Sequence, residues 1–91
     1  MADVLSRTLN IAQAALTTAS STIVAARPGR RRVTIKNMDA SIVITVNSSI
    51  AAATGTGFPI AAGATLTLDT AAVITAIAAS GTPSVAYIEE F

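Results

Sequence analysis

Residues 30–47 read Arg-Arg-Arg-Val-Thr-Ile-Lys-Asn-Met-Asp-Ala-Ser-Ile-Val-Ile-Thr-Val-Asn. From Arg30 to Asn37, Val33 and Ile35 alternate with Arg32, Thr34 and Lys36. This period of two marks a half-buried β-strand. Asn37 to Ala40 supplies turn residues, and Ser41 to Asn47 resumes with Ile42, Ile44 and Val46 on one face, so the stretch reads as a hairpin. The same chemistry extends outward in both directions. Thr22 to Ala26 is a short β-rich run closed by Arg27, Pro28 and Gly29, where Pro presets φ and Gly tolerates positive φ. Ser48 to Gly57 is a small, polar loop, after which Phe58, Pro59 and Ile60 dock back. Ala64 to Asp69 alternates around Leu66 and Leu68, Val73 to Ala78 is an apolar strand, and Ser84 to Phe91 closes the chain. Strands at this spacing predict an all-β chain, a small β-sandwich or jelly-roll-like barrel of about six or seven antiparallel strands.

The first twenty residues read differently. Leu5, Leu9, Ala12 and Leu16 fall near a helical period, yet Leu9, Ile11, Gln13 and Ala15 also alternate. The reading therefore divides the chain into an N-terminal arm and lead-in, 1–20, and a β-sandwich domain, 21–91. The arm proper, Met1 to about Gln13, carries Val4, Leu5, Leu9 and Ile11, and is expected to take its form from a partner surface.

Composition bounds the function. Of 91 residues, 52% are hydrophobic and only 12% charged, against about 25% in an ordinary soluble domain. A surface so short of charge is expected to lie against neighbours. The chain has no Cys, so no disulfide stabilises a domain of this small size, and association is the expected substitute. Val43 opposes the Ile42 and Ile44 set, and Val73 and Ile77 oppose Ile74. A single sandwich interior holds one such face, so Val43, Val73 and Ile77 are candidate oligomer contacts.

No apolar run approaches the roughly 18 residues of a membrane span, and no secretory signal is read at the N-terminus. With no His and no Cys, the imidazole base and the thiolate nucleophile are both missing. Asp3, Asp39 and Asp69 are scattered, and Glu89 and Glu90 point to opposite faces of a strand. No catalytic, cofactor or metal site is therefore assigned. Net charge is +1, which does not predict nucleic-acid binding. Arg27, Arg30, Arg31, Arg32 and Lys36 form the one charge concentration. Arg30, Arg32 and Lys36 are read as a stripe on one strand face, either a solvated edge or a contact with acidic groups of a partner such as Glu89 and Glu90 of another copy. The segment 55–57, Gly-Thr-Gly, lacks the Lys and strand-to-helix setting of a phosphate loop. Phe58 and Tyr87 are read as core anchors.

The order of elements is suggestive: the Arg-led strand ending in Asn37, the Gly57-Phe58-Pro59 segment, and Ala76-Ile77-Ala78-Ala79-Ser80-Gly81-Thr82. It resembles small β-sandwich structural proteins of tailed phages, over roughly Ser21 to Glu89. That resemblance implies a virion component, most directly a capsid decoration or cement protein. Such a protein would be a homotrimer bound to the major capsid protein or other virion proteins. It would sit on the capsid surface after assembly in the host cytoplasm. A fibre, tail or head-to-tail subunit, or a receptor- or carbohydrate-binding module, is the alternative. Val4, Leu5, Leu9, Ile11, Arg30, Arg32 and Lys36 are then the candidate contacts with the shell.

Overall fold

The computed structural model describes residues 9–53 and 55–91. Eight strands follow in chain order: β1 Leu9–Ala15, β2 Ser21–Val24, β3 Arg32–Asn37, β4 Ile44–Ser48, β5 Phe58–Ile60, β6 Thr65–Leu68, β7 Ile74–Ala78 and β8 Ser84–Glu90. They form two four-stranded sheets, in the orders β1-β8-β3-β6 and β2-β7-β4-β5. Every pairing is antiparallel. Apart from β4 and β5, successive strands lie in different sheets, the interleaving of a jelly roll built from two Greek keys. The all-β sandwich read from the sequence is therefore the fold, with eight strands in place of six or seven.

The additional strand is β1. It pairs with β8 at every position from Leu9↔Glu90 to Ala15↔Ser84. Leu9 to Gln13 thus belongs to the sandwich and is not a free arm, and Leu16, in the expected lead-in, is fully buried in the core. The strand escaped the pattern because its polarity is inverted. Asn10, Ala12 and Ala14 face inward, while the larger Leu9 and Ile11 face out.

The expected hairpin across Asn37 to Ala40 is also corrected. β3 lies in one sheet and β4 in the other, so this connection crosses the sandwich. Asn37 shapes the crossing. Its buried side-chain amide donates to the Ile42 and Ile60 carbonyls at 2.8 and 3.0 Å, and its Oδ1 accepts the Asp39 N–H. The Asp39 carboxylate in turn accepts the N–H groups of Ser41 and Ile42. The strand readings elsewhere hold, because Val33, Ile35, Ile44, Val46, Ile74 and Val85 alternate into one shared core.

Candidate interaction surfaces

At one end of the sandwich the chain buries an ion network. Arg30 precedes β3, and its guanidinium donates to Glu89 Oε1 at 2.8 Å and to the carbonyls of Ala25, Thr70 and Ala72. Both side chains are fully shielded from solvent. Glu89 also accepts bonds from Asn10 Nδ2 and Arg27 Nε. Burial pushes the Glu89 carboxyl up, but the bonds from Asn10, Arg30 and Arg27 outweigh it and hold it below the ordinary glutamate value. Arg30 is thereby removed from the expected partner-contact stripe, since its guanidinium is buried and bonded inside its own chain. Glu89 is likewise unavailable to a second copy.

The outer face of the β1-β8-β3-β6 sheet gathers the described shell-contact candidates Leu9, Ile11, Arg32 and Lys36. Cross-strand register sets out three rows. Leu9, Glu90 and Arg32 form the first, Ile11, Ile88, Thr34 and Thr67 the second, and Gln13, Ala86, Lys36 and Thr65 the third. Leu9, Ile11 and Ile88 are 50%, 67% and 37% exposed. Ile11, Ile88, Lys36, Thr65 and the strand between them line a shallow depression of about 290 Å³. Arg32 is held at 3.0 Å by Asp69 and at 3.5 Å by Glu90, so its charge is partly matched within the chain. Lys36 is exposed beside the apolar row. Val4 and Leu5 lie outside the described residues.

Val43, Val73 and Ile77 belong to the other sheet. Val43 is exposed just ahead of β4, while Val73 and Ile77 are half-buried. On this face the loop after β4 folds back over the strands. Thr75 Oγ1 donates to the Ile50 carbonyl, the Ala52 N–H donates to Ser20 Oγ, and Ala52 and Thr45 are buried. Gly57 ends that loop with φ +131°, where a Cβ would meet the Val46 carbonyl oxygen at 2.5 Å. The two sheets therefore differ: one outer face is partly capped by the loop after β4, and the other is left uncovered by the described residues.

A third surface lies where the edges β5 and β6 meet. Phe58 is 59% exposed and is not the core anchor expected from its size. With Val46, Leu66 and Leu68 it lines an apolar groove of about 290 Å³ along the seam between the sheets. Tyr87 does pack against the core. Ile88, Leu66 and Leu68 were not among the candidates. Ile88 could have been found from the alternation of β8, which sends it outward once Val85 and Tyr87 are placed inside.

No protein-family model and no curated protein matches the chain. Solved structures match its fold. The stem and receptor-binding domain of the spike protein P1 from bacteriophage PM2 matches with a TM-score of 0.62 at 17% identity, over 82% of this chain and 30% of that one. Hydroquinone 1,2-dioxygenase from Sphingomonas sp. TTNP3 matches at 0.57 and 14% identity, over 91% of this chain and 59% of that one. A protein of the Bacillus endospore appendages, a family of disulfide-linked pili, matches at 0.51 and 15% identity, over 93% and 88%. The chain spans less than a third of the spike structure and under two thirds of the dioxygenase. Identities this low carry the fold alone: a phage spike, an enzyme and a pilus protein share the frame, so function is argued from the interior and the surface.

Proposed function

We propose that the protein is a structural subunit of a virion, a decoration protein that assembles with copies of itself and reinforces the capsid, and that it is not an enzyme. The observation that carries this reading is the contrast between interior and surface. Among the described residues every buried side-chain polar atom has a partner. The buried polar groups are Arg30 and Glu89 at one end of the sandwich, Asn37 at the β3–β4 crossing and Thr45 beneath the loop after β4, and Arg30, Asn37 and Glu89 are each held by several bonds of their own chain. The open sheet face, by contrast, offers Leu9, Ile11 and Ile88 beside Lys36 and Arg32, and such a face gains free energy when a neighbour covers it. Contact with the shell is assigned to Leu9, Ile11, Ile88, Arg32 and Lys36, together with Val4 and Leu5.

Co-sedimentation of the purified chain with phage heads lacking it tests this reading. The wild-type chain pellets with heads at a saturable ratio, and the pair Ile11→Asp and Ile88→Asp abolishes pelleting while leaving the β-type circular dichroism unchanged. Undiminished binding by that variant contradicts the assignment. A receptor-binding or fibre role is the second reading, favoured by the exposed Phe58 over its groove. In that case Phe58→Ala reduces adsorption to cells and leaves head binding intact.

A further inference from the structure

We propose that β1 is the seam along which two copies join, its free edge pairing antiparallel with β1 of a second copy about a two-fold axis through Ala12. The inference rests on the self-assembly part of the proposed function and is independent of what the assembly is attached to.

The four sheet edges are unequal. β2 has four residues and a register irregularity between Thr22 and Val24. β5 has three residues and carries Pro59, which cannot donate from its backbone. β6 has four residues. Short length, bulges and Pro are the devices that keep an edge from recruiting another strand. β1 has none of them: seven residues, Leu-Asn-Ile-Ala-Gln-Ala-Ala, with no Pro, no Gly, no charge and an unbroken register.

The hydrogen-bond phase shows what that edge presents. Leu16 N–H donates to the Pro83 carbonyl at 2.8 Å, continuing the β1–β8 register. Antiparallel pairs alternate between bonded and non-bonded, so Ala14, Ala12 and Asn10 spend their backbone groups on β8. The N–H and C=O of Leu9, Ile11, Gln13 and Ala15 therefore point to the edge that no described strand pairs. The same reasoning on β6, started from the Asn37 N–H donating to Ala64, leaves only Thr65 and Thr67 facing outward within the strand. A second β1 is thus the better match in length.

One register uses all four residues. Antiparallel pairing about Ala12 sets Leu9 opposite Ala15 of the second copy, and Ile11 opposite Gln13. Each of these is a bonded pair, with Ala12 facing its own counterpart. No charge meets a like charge across this seam. The apolar rows containing Leu9 and Ile11 then continue from one open face to the next, turning two four-stranded sheets into one of eight. Such a contact is isologous and gives an even number of copies, in place of the three that the phage resemblance implies.

Two variants of the full chain test the seam. Gln13→Pro removes an N–H that faces outward, so the β1–β8 ladder is left whole. Ala12→Cys puts a thiol at a non-bonded pair, where the Cα atoms lie about 4.5 Å apart, within disulfide reach. The natural chain has no Cys, so any link is the new one. By light scattering the wild type has an even multiple of the single-chain mass, and Gln13→Pro halves it. Under mild oxidation Ala12→Cys links into dimers at least tenfold faster than Gln13→Cys. A wild-type mass of one or three chains overturns the seam, as does Ala12→Cys linking no faster than Gln13→Cys. Should Gln13→Pro fail to fold, the cysteine pair decides. A three-chain mass leaves self-assembly standing while removing this seam, so the two readings fail separately.

Discussion

Glu89 is the most informative residue, because a carboxylate held away from water is stable only while its partners remain. Replacing Arg30 with Met leaves that carboxylate buried with Asn10 and Arg27 alone. The expected cost is about 3 kcal/mol of unfolding free energy, read as a drop in the urea midpoint. Adding Glu89→Gln to that variant recovers part of the loss. The pH dependence follows from the depressed Glu89 value. The folded state binds this proton less readily than the unfolded chain, so the contribution is fully present above the ordinary glutamate value. It is lost as pH falls through that value towards the lower folded one. Thermal melts between neutral pH and pH about 3 show the decline, and Glu89→Gln flattens it. Little of this network was legible in sequence. Alternation placed Arg30 on the outer face with Arg32, but β3 begins only at Arg32, and the turn before it sends Arg30 inward. Its partner lies 59 residues away, and no local pattern links the two.

The elements were legible where large apolar side chains point inward, as in β3, β4, β7 and β8. They were illegible where that rule inverts, as in β1, whose inward side is Asn and Ala. Turn chemistry was read correctly at Asn37 to Ala40, yet a turn does not say whether the chain returns to its own sheet or crosses to the other. Two predictions belong at this scale. Deleting Met1 to Gln13 removes most of β1, strips Asn10 from Glu89 and uncovers β8, so the truncated chain loses its cooperative melt. A truncated chain with an unchanged melting temperature contradicts the placement of β1. Asn37→Ala leaves the Ile42 and Ile60 carbonyls without their donor at the crossing. The expected cost is about 2–3 kcal/mol, measured by urea unfolding.

At the scale of the molecule, scarce charge and abundant apolar residues implied a hidden surface, and the fold shows where apolar surface remains. Among the described residues it lies on the outer face of one sheet, along the Phe58 groove, and at Met38, Val43 and Ile50 in the segments flanking β4. The location of those surfaces was not legible, since it depends on which sheet the loop after β4 folds over and on which edges meet. Under the proposed role the protein acts by burial of surface, and its activity is then read as its stoichiometry in the assembled particle. The direct measurement is quantitative mass spectrometry of purified phage particles encoding this chain. The account predicts a fixed ratio to the major capsid protein, retained through density-gradient purification and lost with Ile11→Asp and Ile88→Asp. Particles that form, mature and infect normally while containing none of the chain contradict it.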